Sequence, residues 1–202
     1  MNILMDKLPT EYQGYKINTD FRIGIKLCNL FEDADLEEED KLDDAIDILW
    51  GAGVPTCLSD DGGFIVDYDL VIETIQWFLS GGNNSANQQG KQKEQAISSK
   101  DIAYDFSIDA DYIFAAYYQQ YHIDLSEVDM HWFKFLALFK ALKDTVFNRI
   151  QEIRTQDLSD IPAGKARAEA QQQKETFRIV KATPERKKEL MAVFGDEWKE
   201  HL

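Results

Sequence analysis

What the sequence has little of bounds it first. Two cysteines stand in 202 residues, Cys28 and Cys57, each among apolar neighbours. Two isolated thiols make neither a disulfide framework nor a zinc site, and they fit a reducing compartment. No run of 18 apolar residues occurs, so no transmembrane helix is expected. The first residues, MNILMDKLPTEYQGYK, place acidic and polar side chains where a secretion signal needs a long apolar segment. A cytoplasmic location with no membrane partner is the expectation. Histidine is scarce too: His122, His131 and His201 lie far apart in sequence. There is no Gly-rich phosphate loop, no nucleophile elbow, no H-E-x-x-H and no paired C-x-x-C. His131, at the start of an aromatic run, reads as a capping or surface residue rather than a ligand or base. The pattern thus offers no catalytic residue, no cofactor site and no metal site.

Basic residues are the next shortage. The formal net charge is −15, and residues 1–80 hold 5 Lys/Arg against 18 Asp/Glu. A body of that sign repels phosphates, so nucleic acid is not an expected partner. Tyr112, Tyr117, Tyr118 and Tyr121 could stack on bases, but no basic groove accompanies them. The acid run DADLEEED superficially matches a calcium loop, yet Glu38 stands where the loop needs Gly and no Glu follows at the twelfth position. It reads as a solvated charge run.

What is present is helical periodicity. LPTEYQGYK can form a small hairpin about Gly14, and Thr19 or Asp20 can cap a helix running to about Asp33. Arg22, Lys26, Asn29 and Asp33 form its narrow polar stripe, which predicts burial on most sides. A second helix in LEEEDKLDDAIDILWG turns Leu42, Ala45, Ile46 and Leu49 inward and stops at Gly51. GAGVPTCLSDDGGF reads as turn chemistry. A third helix, in DYDLVIETIQWFLSGG, keeps Asp69, Glu73, Gln76 and Ser80 wet and stops at Gly81–Gly82. Residues 81–100 carry no aromatic and one β-branched residue, too little to offset ordering entropy, and predict a disordered loop.

Beyond it, Asp109 or Ser107 is the expected cap of a helix with Ala110, Ile113, Phe114, Tyr117 and Tyr121 as its stripe. DMHWFKFLALFKAL puts ten apolar residues into fourteen positions. Ser126 and Asp129 are the expected cap. One face would carry Val128, Trp132, Phe135, Leu136, Phe139 and Leu142, and a second Phe133, Ala137 and Ala141. A helix apolar on two sides belongs between layers of other helices. Phe147, Ile150 and Ile153 turn inward on a shorter helix. PAGKARAEAQQQKET lacks any large apolar residue and predicts an exposed helix. At the end, Thr183 and Pro184 start a helix in which Leu190, Val193, Phe194 and Trp198 oppose Lys187 and Lys188. This terminal stripe either folds back on the body or docks on a partner, and those six residues are the candidate partner-binding site. The fold expected is mainly α: a compact bundle of about six helices with an N-terminal β-hairpin. Residues 1–158 would form one helical domain, interrupted at 81–100, and residues 159–202 a C-terminal helical arm.

Several of these segments together resemble a known family. DKLP…GYKINTDFR, the acidic second helix, YDFSIDADYIFAAYYQQYHIDL, HWFKFLALFKAL and FNRIQEIRTQDL are similar to the phage gene-product-fifteen family, found in tail regions of siphophages of Gram-positive hosts. The similarity spans about Asp6 to Leu158, with only a loose match beyond Ile161. Its most specific part is Tyr121, Ile123, Asp124 and Leu125 followed by His131, Trp132, Lys134, Phe135, Leu138 and Phe139. Phe133 stands where a second Trp is common, and Ala141 where Gly is common. The family's usual gene order, between major tail and tape-measure genes, implies a tail assembly chaperone. It would bind the tape-measure protein, and the major tail protein or a second copy of itself are further partners. The resemblance supplies no catalytic residue. Two other roles compete: an acidic DNA-mimic inhibitor of host restriction, and a minor structural tail component.

Overall fold

The computed structural model describes residues 2–59, 61–82 and 102–181, and within them the fold is mainly α. Strands β1 (Glu11–Tyr12) and β2 (Tyr15–Lys16) pair antiparallel across Gln13 and Gly14, whose φ values of 50° and 85° suit a tight hairpin turn. The Asp20 carboxylate then accepts the Arg22 N–H at 2.8 Å and starts α1 (Phe21–Glu32). Only Phe21, Gly24 and Leu27 of α1 are fully buried, a narrower contact than its narrow polar stripe predicts. Helix α2 (Glu38–Leu49) carries Glu38, Glu39 and Asp40 in its first turn, where the helix dipole favours negative charge. It buries Ala45, Ile46 and Leu49, and Gly51 follows in the left-handed region at φ 61°.

The stretch read as turn chemistry contains a second hairpin. Strands β3 (Thr56–Leu58) and β4 (Phe64–Val66) pair antiparallel with Leu58 opposite Phe64. Three-residue runs are too short to show alternation, which is why the pattern hid them. Asp67 caps α3 (Tyr68–Leu79), its Oδ1 accepting the Leu70 N–H at 3.0 Å. Asp69, Glu73 and Gln76 face solvent as expected. Of the loop expected at 81–100, residues 83–100 lie outside the described residues.

Helices α4 (Ala110–Tyr121), α5 (Trp132–Lys140) and α6 (Val146–Thr155) complete the six helices expected of the body, and after a short 3-10 turn at Leu158–Asp160 comes α7 (Lys165–Thr176), in the segment expected to be a helical arm. On α4 the buried residues are Ile113, Ala116 and Tyr117, while Ala110 and Phe114 of the expected stripe are exposed. Helix α5 starts at Trp132, not at Ser126. Asp124 takes the Ser126 N–H into a local turn, and backbone bonds from Phe21 to the Met130 carbonyl and from Trp132 to the Thr19 carbonyl, both 2.8 Å, hold the approach to α5 extended. His131 is the N-cap, its Nδ1 accepting the Phe133 N–H at 3.0 Å.

Phe135 is the centre of the core. Fully enclosed, it stacks on Phe21 (5.0 Å between centroids), Tyr117 (5.1 Å) and Trp132 (5.5 Å), joining α1, α4 and α5. Trp132, Phe133, Leu142, Phe147 and Ile150 are also buried, while Val128, Leu136 and Phe139 pack half-buried against the cluster. Ala137 and Ala141, expected on a second inner face, are exposed, so Phe133 alone represents it. Gly24 permits the closest approach in this layer: a Cβ there would lie 2.2 Å from the Trp132 ring. Helix α7 buries no residue, in keeping with its composition. Its end is nevertheless tied down, because Arg154 Nε donates to the Phe177 carbonyl at 2.5 Å. Lys181 bridges Glu32 (2.8 Å) and Asp105 (3.2 Å), so residues 177–181 are held against the body rather than projecting as an arm.

Candidate functional site

The six residues proposed from sequence for partner binding, Lys187, Lys188, Leu190, Val193, Phe194 and Trp198, lie outside the described residues. The most specific residues of the family resemblance are described, and most of them are used in packing. Asn18 accepts the Asp20 N–H at 3.2 Å, Asp20 caps α1, and Phe21 sits in the core. The Arg22 guanidinium reaches the carbonyls of Leu125 (2.8 Å), Ser126 (3.2 Å) and Val128 (3.2 Å) and so clamps the α4–α5 connection onto α1. Tyr121 donates to the Leu138 carbonyl at 2.9 Å, and Tyr117 to that of Phe135 at 2.7 Å. His131 Nε2 meets the Pro9 carbonyl at 2.8 Å. Since its Nδ1 accepts from Phe133, the Nε2–H tautomer is the one both bonds require. Burial lowers the His131 pKa below its ordinary value, against the opposing pull of the Pro9 carbonyl. Lys134 alone of the signature points to solvent.

One buried ionic group was not visible in sequence. Asp109, expected as a simple helix cap, makes no capping bond. Its carboxylate is fully enclosed and grips Arg154 in a bidentate pair, 2.6 Å and 2.9 Å, while accepting the Asp105 N–H at 3.0 Å. Arg154 also donates to the Ala103 carbonyl at 3.3 Å. Burial works to raise the Asp105 carboxyl, but the N–H groups of Ile108 and Ser107 and the Lys181 ammonium outweigh it and hold the pKa low. Every polar atom in this group has a partner within the protein, so it is a structural joint with no group left to engage a substrate. Burial, with Glu32 nearby, pushes the Cys28 thiol up to about 12, which disfavours the thiolate that a nucleophile or metal ligand needs. Among the described residues, no three His, Cys, Asp or Glu side chains group in a way that could hold a metal ion.

The surface, in contrast, leaves large apolar side chains in water at several places among the described residues, including Ile3, Leu4 and Met5 near the start. On the second hairpin Leu58 is 70 % exposed, Phe64 75 % and Ile65 53 %, and Tyr68 and Ile72 are exposed on the first turns of α3. On α4, Phe114 and Tyr118 stack on one another at 6.4 Å beside exposed Tyr112 and Ile108. Exposed apolar groups that cluster, rather than scatter singly, are the usual mark of an interaction surface. The hairpin is the part that periodicity missed. Its signal was the pair of short β-prone runs, TCL and FIV, on either side of SDDGG.

No curated protein and no solved structure matches the chain. The family match runs past Ile161, beyond which the resemblance is loose, up to the segment that Arg154 ties down. Matching from residue 4 to residue 179, the chain belongs to the family described as Bacteriophage Gp15 protein.

Proposed function

We propose that this phage protein is a tail assembly chaperone. It would bind the tape-measure protein in the cytoplasm of the infected host and keep it soluble until tube subunits polymerise around it. The observation that carries the reading is the coexistence, on one body of net charge −15, of clustered solvent-exposed apolar side chains. A long helical client exposes apolar faces before assembly. A small partner that covers those faces with its own and adds charge of one sign opposes aggregation. The family's signature residues support this indirectly: they build the core and its clamps, so the signature fixes a scaffold and leaves binding to the surface.

The test is co-expression with the tape-measure protein of the same phage, scoring the soluble fraction of the latter. A several-fold gain in soluble tape measure is expected, and equal solubility with and without this chain defeats the reading. Mass spectrometry of purified particles separates a chaperone, absent or trace, from a retained tail component. Inhibition of a restriction nuclease by the purified chain would replace the proposal with DNA mimicry.

A further inference from the structure

The β3–β4 hairpin is a two-stranded ribbon that pairs with no other strand among the described residues. Such a ribbon is marginal by itself, and placing Leu58, Phe64 and Ile65 in water adds nothing to its stability. Tyr68 and Ile72, one helical turn apart on α3, are exposed shortly after the hairpin in sequence. The neighbouring sequence is of one charge sign. Between Lys41 and Lys91 the sequence has eight Asp/Glu and no Lys or Arg. Lys41 itself is 6 % exposed and held by Glu38 at 2.7 Å. The Tyr68 hydroxyl meets Asp43 at 3.5 Å, which brings the exposed acidic face of α2 beside the start of α3. Asp61 lies at the hairpin tip, and Asp69 and Glu73 are exposed on α3. The α4 patch also lies in an acidic stretch, with seven Asp/Glu and no Lys or Arg between Lys100 and Lys134, but it sits on a helix packed into the core rather than on an unsupported ribbon.

We propose that the β3–β4 hairpin and the first turns of α3 form a docking surface for an amphipathic helix whose polar face carries Lys or Arg. Apolar side chains along one face of such a helix cover Leu58 and Phe64, which share one face of the ribbon, together with Tyr68 and Ile72, and its cations meet the carboxylates nearby. A second copy of the chain is the wrong occupant, because a two-fold contact through this strip would set one acidic rim against the other. That the natural occupant is a tape-measure segment rests on the function proposed above; the surface itself does not.

The probe is a synthetic amphipathic helix of Leu and Lys, with a Leu/Glu twin of the same pattern, titrated against the full chain by fluorescence anisotropy. The Leu/Lys peptide should bind the wild type, more weakly at high salt. Binding should fall at least about tenfold in Phe64→Ser/Ile65→Ser, and for the twin against wild type, whereas Phe114→Ser/Tyr118→Ser on α4 should bind as the wild type does. Asp43→Lys/Asp69→Lys reverses the rim without touching the apolar strip and should also lose about tenfold, which decides the matter if the hairpin variant fails to fold. Equal binding of the twin, undiminished binding by the rim variant, no binding at all, or a wild-type dimer that the hairpin substitutions dissociate would each overturn the proposal. Co-expression keeps the two readings apart. If wild type and hairpin variant solubilise the tape-measure protein equally, the site is wrong and the chaperone stands. If neither does while the peptide results hold, the chaperone is wrong and the site stands.

Discussion

At the residue scale the fold depends on one large ring placed against one absent side chain. Trp132 is 1 % exposed and lies on Gly24 so closely that a methyl group there would overlap it. Trp132→Ala should destabilise by about 3–5 kcal/mol in urea melts. Gly24→Ala should cost about 1–3 kcal/mol through forced repacking. Because the alanine obstructs only while the indole is present, the double variant should cost clearly less than the sum. A wild-type melt for Trp132→Ala would remove this residue from the core. His131 gives a pH dependence. Its folded pKa is depressed, so between that value and the ordinary 6.5 the unfolded chain binds more protons than the folded one. The contribution is therefore complete above about pH 6.5 and is lost as pH falls through the folded value. Protonation at Nδ1 would also remove the acceptor that caps α5. His131→Asn, which keeps a capping oxygen, should flatten the loss of stability between about pH 7.5 and 5.5, and an unchanged slope would assign it elsewhere.

At the scale of elements, α4 and α6 are joined by the enclosed Asp109–Arg154 pair. Removing one partner leaves a buried charge alone, so Asp109→Asn or Arg154→Met should each cost about 3–5 kcal/mol by urea denaturation. Asp109→Leu combined with Arg154→Met removes both charges and should recover part of that loss, a pattern that a surface pair would not give. The pair spans 45 residues of sequence and draws the approach to α4, the end of α6 and the segment after α7 to one point. The helical period puts Arg154 on the inward face, one turn after Ile150, but its full charge argues against burial, and only the distant Asp109 carboxylate accounts for it.

At the scale of the whole molecule, the described part of the C-terminal region, residues 159–181, is tied to the body near its end. Phe177 and Lys181 complete the bonding of Arg154, Glu32 and Asp105. A chain ending at Leu158 should therefore be less stable than one ending at Lys181, by about 1–3 kcal/mol for the polar groups left unpaired. Equal thermal melts would show that these bonds contribute nothing. The match of the family to residue 179 agrees with this closure. Charge is also a property of this scale: the acids of residues 1–80 are spread along α1–α3 and the hairpins, and the fold brings Asp43 of α2 within 3.5 Å of the Tyr68 hydroxyl at the start of α3.

Apolar spacing alone was enough to place the α-helices of the described body, to pick Phe135 and Trp132 as core, and to leave α7 exposed, because burial on one face imposes a 3.6-residue period that composition records directly. Family membership was legible for a related reason, since the signature residues cap, clamp and fill that core and cannot vary freely without losing it. Three features belong to tertiary structure only. Gly24 is decided by how near another helix comes, Arg154 by a carboxylate from a distant element, and the candidate docking strip by which apolar residues the core leaves uncovered. Local periodicity can put Gly24 and Arg154 on an inward face but cannot say what meets them there or which apolar residues stay uncovered, because that depends on distances between segments far apart along the chain, and only closure of the fold sets those distances.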